Sequence, residues 1–399
     1  MRYPADKLFK IRAVIESVRQ QCLQIPPEEI HSIDEQIIST KTKYSGIRQY
    51  NPKKPKKWGF KNLVRAGASG IMYDFYIYTG KQDQSENDTP YSHLQKSAQV
   101  VARLCETLPT HANHKLYFDN WFTTLALLVY LKKNGISSCG TVRTNRLQGC
   151  PLLSNKELKK LGRGSLDFKS DMNSGLIVVK WMDNGPVHVA SNYLGIQPLG
   201  SVQRWCPDRK QRVDIACPQL ILHYNKGMGG VDLADMLIAL YRIPIKTKRW
   251  YIKVFWHLVD VCKTNAWLLY RRHCDQLQIP SKERLTFINF IIAVADALIT
   301  AWKVQKAPTP GQPGRPRKSS SEKNCVQATT SKSGRKAATP LPCEEARLDQ
   351  LGHWPQPTDR KRQRCRYCQD GFSKIYCSKC NICLCLREGK NCFVDYHTK

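Results

Sequence analysis

Two short apolar runs each carry an aspartate, and no other feature of the chain constrains its fold more. His31-Ser32-Ile33-Asp34-Glu35-Gln36-Ile37-Ile38 alternates apolar and polar residues around Asp34, and Lys115-Leu116-Tyr117-Phe118-Asp119-Asn120-Trp121-Phe122 ends a predicted strand on Asp119. Aspartate is depleted in strands, so an Asp set among Ile, Phe and Trp needs a hydrogen-bond partner or a cation. A third stretch, running from Gly229 to Tyr241, reads as a helix with Met236, Leu237 and Leu240 as its buried stripe and Asp232 and Asp235 on a neighbouring face. An N-cap and a first-turn acid at the positive end of the helix dipole explain those two acids in purely structural terms. Joined with Asp34 and Asp119, they also make an oxygen-ligand set for Mg²⁺, the requirement of two-metal phosphoryl transfer.

The chain has 399 residues, enough for several domains. With 63 Lys and Arg against 32 Asp and Glu, its formal charge of +31 points to a polyanionic partner, DNA before an anionic membrane surface. Nothing in the pattern calls for a small-molecule substrate. Thr286 to Trp302 is the most apolar stretch, but Asn289 and Asp296 interrupt it, and it falls short of the roughly 20 residues of a membrane span. Met1-Arg2-Tyr3-Pro4-Ala5-Asp6-Lys7 lacks the apolar core of a secretory signal. The expectation is a soluble intracellular protein of mixed α/β class.

In chain order, Leu8, Ile11, Val14, Ile15 and Val18 have helical spacing, closed by Pro26-Pro27. Strands follow around Asp34, at 61–66 and at 71–78, then a helix at 91–108 and the strand ending on Asp119. A helix at 123–133, stopped by Gly135, precedes a strand at 136–142. Residues 145–219 read as an insertion with strands at 176–181 and 187–191. From Tyr241 to Trp267 bases and aromatics interleave, and helices are predicted at about 250–277 and 282–302. A solvated basic face explains the charges of Lys246, Lys248 and Arg249, whereas phosphate contacts beside rings that stack on unpaired bases explain the aromatics as well.

Five motifs carry a family resemblance: Ser32-Ile33-Asp34-Glu35-Gln36, the segment from Tyr50 to Gly59, Phe118-Asp119-Asn120-Trp121-Phe122-Thr123, Cys139-Gly140-Thr141-Val142-Arg143, and Gly229-Gly230-Val231-Asp232. In this order they resemble the piggyBac transposases, especially the vertebrate transposable element-derived members. The resemblance implies an RNase H-like core at 31–144 completed by a last helix at 220–241, interrupted by an insertion domain at 145–219. It implies catalysis by Asp34, Asp119 and Asp232, with Asp235 a fourth acid, and action on transposon-end-like or TTAA-containing DNA in the nucleus, homodimerisation being open. It makes Trp250 the candidate for stacking on a base near a transposon end. Residues 1–30 become the remnant of an N-terminal helical DNA-binding region, as in a short form of the protein, and 242–302 a second helical DNA-binding region. Two functions remain: a DNA strand-transfer enzyme, or a domesticated DNA-binding or chromatin-binding protein that moves nothing.

Residues 303–358 read as a disordered basic linker whose Arg315, Arg317 and Lys318 suit a minor groove or a nuclear localisation signal. The chain's 17 cysteines are scattered singly until residue 365 and then crowd together, so disulfides are not expected. In 359–399, Cys365, Cys368, Cys377, Cys380, Cys383, Cys385, Cys392 and His397 supply eight soft ligands, enough for two structural Zn²⁺ ions. One cross-braced pairing sets Cys365, Cys368, Cys383 and Cys385 around one ion and Cys377, Cys380, Cys392 and His397 around the other. This tail is similar to the DNA-binding cysteine-rich domain of the same family, with Lys361, Arg362 and Arg364 placed for phosphates. The spacing also admits a RING-like or histone-reading finger.

Overall fold

The computed structural model describes residues 6–40, 46–52, 57–80, 89–207, 209–304, 347–348, 352–359 and 361–398. In it the alternating run around Asp34 is a strand, β1 (Ile30–Ser39), held inside a nine-stranded sheet. On one side β1 pairs antiparallel with β3 (Trp58–Gly67), which also pairs with β2 (Arg48–Tyr50) and β4 (Met72–Ile77). On the other it pairs parallel with β5 (Lys115–Phe118), and β5 pairs parallel with β6 (Ser137–Thr141). Parallel neighbours need crossovers, and α2 (Lys96–Cys105) and α3 (Leu125–Lys133) lie within the two connections. The resulting order β4-β3-β1-β5-β6 is the expected RNase H-like core.

Local chemistry fixes the helix ends. The Thr124 hydroxyl accepts the Leu127 N–H at 3.1 Å to cap α3. Gly135, at φ +68, stops it in a left-handed conformation where a Cβ would meet the His111 ring at 2.4 Å.

The sheet is covered on both faces, as a strand with period-two alternation requires. Ile33 joins Leu116, Phe118, Val101 and Leu127 on the face of α2 and α3. Ile38 joins Phe60, Val64 and Phe75 on the other face, under α1 (Arg12–Leu23), α6 (Gly230–Leu240) and α7 (Trp250–Gln276). Each such fully buried side chain contributes about 1.5–3 kcal/mol. The first helix is therefore a core element, and its Arg19 pairs with the fully buried Asp74 at 2.6 Å.

The segment expected as an insertion opens with a short helix, α4 (Asn155–Lys160), and most of its strands join the central sheet. β9 (Pro186–Ser191) pairs antiparallel with β6, and β8 (Leu176–Met182) and β7 (Leu166–Asp171) follow, extending the central sheet. The hairpin of β10 (Gly200–Cys206) and β11 (Gln211–Cys217) forms a separate two-stranded sheet. Behind it, α5 (Gln219–Gly227) returns the chain to the core.

Residues 1–288 form one compact unit and 289–399 a second. A helix, α8, spans Phe287–Val304, and among the described residues no helix is long and apolar enough to cross a membrane. Arg315, Arg317 and Lys318 lie outside the described residues, as does most of the expected linker. Residues 355–357, assigned to that linker, belong to the tail instead: Pro355–Pro357 pairs antiparallel with Ile375–Cys377.

Candidate metal and nucleic-acid sites

Ile33 is the register partner of Phe118 in the parallel β1–β5 ladder, so the next residues of the two strands, Asp34 and Asp119, stand side by side where the ladder ends. Both are half-buried. Asp34 Oδ1 accepts the N–H of Glu35, and Asp119 Oδ1 that of Trp121, each at 2.7 Å. Tyr224 on α5 lies under the influence of both: burial first, and after it the negative charges of Asp119 and Asp34, push its phenol well above the usual range against a hydrogen bond with Thr141. The Asp119 turn is braced by Arg146, whose guanidinium donates to the carbonyls of Asn120, Trp121 and Thr123, and by Arg143, which donates to Asn120 Oδ1 at 2.9 Å.

Two glycines bring the helix acids to this face. A Cβ on Gly227 would meet the Tyr117 ring at 2.3 Å, and one on Gly230 would meet Gly67 O at 2.4 Å. The N–H of Val231 donates to Ser32 Oγ at 3.2 Å, seating α6 along the Ser32, Asp34, Gln36 face of β1. Asp235 is half-buried and accepts from Gln36 Nε2, whereas Asp232 is exposed in the first turn. The close seating at Gly230 also sets which stripe is buried: it runs through Val231, Ala234, Leu237 and Ile238. Met236 and Leu240, expected in that stripe, are 51% and 57% exposed.

At the Ser39 end of β1 lies a basic groove of about 790 Å³, lined by Ser39, Thr40, Lys57, Trp58, Lys246 and Lys248 among others. Lys246, Lys248 and Arg249 are exposed. Trp250 is not an open platform: half-buried, it packs edge-on against Phe60 at 6.0 Å and lies against the core. Trp58 on the groove wall is exposed, as is Tyr50, its cross-strand partner 4.8 Å away, with the Arg48 guanidinium 3.8 Å over the Trp58 ring. Trp58 stood in a quoted motif, but the period-two pattern gave no signal of which ring faces solvent.

In the tail, two groups have ligating atoms all within 4.8 Å of one another: His353, Cys377, Cys380 and His397, and Cys365, Cys368, Cys385 and Cys392. Each offers four donors, the count and softness of a structural zinc site. The ligand sets alternate along the chain, so the cross-brace is as expected but its membership is not. Cys392 stands with Cys365, Cys368 and Cys385, in the place expected of Cys383. His353 fills the place expected of Cys392, and Cys383 directs its Sγ to Gln363 Oε1 at 3.4 Å. His353 escaped the sequence reading because it lies before the cysteine crowd; the 355–357 strand carries it to Cys377, with Nδ1 3.3 Å from Cys377 Sγ.

Second contacts fit a metal here. His397 Nδ1 is 2.7 Å from Phe393 O, which turns Nε2 toward Cys380 Sγ at 3.4 Å. Hydrogen bonding from Cys380 holds the Cys377 thiol down to about 4 against the effect of burial. A Cβ on Gly371 would meet Cys385 Sγ at 2.4 Å. Lys361, Arg362 and Arg364 are exposed beside this centre.

The core acids are not among the groups closed to 4.8 Å in the described residues. A site for two ions about 3.5–4 Å apart spreads its carboxylates more widely than one tetrahedral ion does.

The sequence profile of the family described as Transposase IS4 matches residues 2–267. The human PiggyBac transposable element-derived protein 3 is 30% identical over 400 residues, covering 99% of this chain and 60% of that protein. The human PiggyBac transposable element-derived protein 2 is 29% identical over 373 residues, covering 91% and 55%. The chain thus spans about 60% or less of the length of these relatives. Among solved structures, the piggyBac transposase in its synaptic complex with hairpin DNA, determined by cryo-EM, has a TM-score of 0.60 at 20% identity, covering 95% of this chain and 74% of that one.

Proposed function

The chain belongs to the transposase IS4 family, among its piggyBac-derived members, and from that premise we propose that it is a DNA-binding protein carrying an aspartate-based, divalent-metal site for DNA strand cleavage and transfer. The observation that carries the reading is the β1–β5 register, which sets Asp34 beside Asp119 on the face that receives α6. Asp34 and Asp119, with Asp232 or Asp235, would hold Mg²⁺, which when bound supplies Lewis-acid charge at a scissile phosphate. The protein's own part is positioning. Arg143 and Arg146 brace the Asp119 turn, and the groove of Lys57, Lys246 and Lys248 offers a track for the phosphate backbone. Trp58 and Tyr50 present ring faces on which an unpaired base can stack.

The ion read for both tail groups is Zn²⁺, from the donor sets Cys₂His₂ and Cys₄. TTAA-containing DNA, a homodimeric assembly and a nuclear location belong to the same proposal. A second reading keeps DNA binding without chemistry: Asp232 is exposed in the first turn of α6, where the helix dipole accounts for an acid without any metal.

One assay separates the two readings. Purified chain is incubated with TTAA-flanked DNA ends and Mg²⁺, beside Asp34→Ala and Asp119→Ala. Nicks made by the parent and absent from both variants support the catalytic reading. Binding without nicks by all three supports the silent one, and no binding by any removes the proposal.

A further inference from the structure

Gln36 follows Asp34 by two residues on the same face of β1 and is 1% exposed. Its side chain is tied to three other elements. Oε1 stands 2.8 Å from His257 Nε2 on α7 and accepts from Asn62 Nδ2 on β3 at 3.0 Å, while Nε2 donates to Asp235 Oδ1 on α6. His257 is itself buried, and burial first, then the charge of Arg242, holds its imidazole down to about 3. It is neutral at physiological pH and has one N–H. Gln36 Oε1 can only accept, so that N–H is on Nε2, and Nδ1 is the buried nitrogen without a partner.

The Asp235 carboxylate, which can only accept, leaves the amide a single orientation, because turning it over would set Oε1 against the carboxylate; with Nε2–H on Asp235, Oε1 takes the donors of His257 and Asn62. The Nε2–H is thereby aimed at Asp235. A buried amide so connected is costly to move, since any rotation leaves several polar groups unsatisfied at once. Its neutrality also matters. A Lys or Arg in the same place would pair with Asp235 as an ion and oppose a dication, whereas an amide orients the carboxylate and leaves its charge for a metal.

We propose that Gln36 is a positioning residue: locked by His257 and Asn62, it fixes the Asp235 carboxylate beside Asp34 for holding a divalent ion. This rests on the metal reading of the β1–β5 acids given above.

The test is Mn²⁺ binding by the full chain, followed by electron paramagnetic resonance, with thermal unfolding as the check on folding. Gln36→Met keeps the volume and removes the donor, and should weaken Mn²⁺ binding about 10-fold, as loss of a group that orients a ligand does. Asp235→Ala should weaken it too, and adding Gln36→Met to Asp235→Ala should cost nothing more. Losses that multiply in the double variant, or unchanged affinity in Gln36→Met, overturn the proposal. If Gln36→Met does not fold, His257→Leu should lower affinity and His257→Gln, which can donate from the same place, should restore it; equal affinities overturn the proposal. Absence of Mn²⁺ binding by the parent chain, or binding that survives Asp34→Ala, sinks the metal reading itself and the role of Gln36 with it.

Discussion

The N–H of Val231 donates to the hydroxyl of Ser32 at 3.2 Å, joining the first turn of α6 to a strand 199 residues earlier. That bond forms because Gly230 lets the helix approach until a Cβ would stand 2.4 Å from Gly67 O. Gly230→Ala should therefore overpack the contact and lower stability by about 1–3 kcal/mol. Gly229→Ala, where nothing lies within 4 Å, should be close to neutral. Equal effects in denaturant unfolding would remove the close-approach argument.

The revised ligand sets give a metal-counting experiment. The 399-residue chain should carry two zinc ions, His353→Ala one, and Cys383→Ser two, since Cys383 lies outside both groups. Elemental analysis decides it: retention of both ions in His353→Ala, or loss of one in Cys383→Ser, would restore the pairing expected from spacing alone.

Trp58 and Trp250 should separate binding from stability. Trp58→Ala should weaken binding to a single-stranded oligonucleotide by about 1–3 kcal/mol and leave stability within about 0.5 kcal/mol. Trp250→Ala should do the reverse, costing about 2–3 kcal/mol of stability, somewhat less than a fully buried Trp. Fluorescence titration and thermal melts of the two variants read the contrast, and a binding loss confined to Trp250→Ala would contradict it.

Acid should destabilise the first unit through two histidines. Burial, then the charges of Arg65 and His114, hold His31 down to about 3, and His257 is likewise at about 3, from an ordinary 6.5. Both stay neutral when folded and take up protons when unfolded, so stability is complete above 6.5 and falls as pH drops from there toward 3. At pH 5 each histidine should cost about 2 kcal/mol relative to pH 7. Replacing His31 by Phe should flatten the stability profile between pH 7 and 5; an unchanged slope would exclude His31 as a source.

The sequence carried the succession of strands and helices because their periodicities are strong and separate, but these alone reach only a mixed α/β class; the RNase H-like topology came from the family resemblance of the motifs that hold Asp34 and Asp119, acids that stand out in apolar runs where Asp is rarely found. It did not carry what depends on partners far away. Alternation gives a strand its two faces but not its neighbour, so the pairing of β9 with β6 was invisible. Of the stripe read on α6, Leu237 is buried but Met236 and Leu240 are not, since a contact at Gly230 rather than the apolar count sets the helix's rotation. Ligand spacing counted donors in the tail but could not see that a strand at 355–357 brings His353 among them.

The continuation of the sheet through β6, β9, β8 and β7 changes how the protein can be dissected. A piece ending near residue 144 would contain every strand of the catalytic-type core, yet it would leave the β6 edge open, with the backbone groups that β9 satisfies turned to solvent. Exposed edges of this kind recruit strands from other molecules. Trimming the segment after β6 should thus yield aggregates rather than a minimal core, and the segment's first duty is to close that edge.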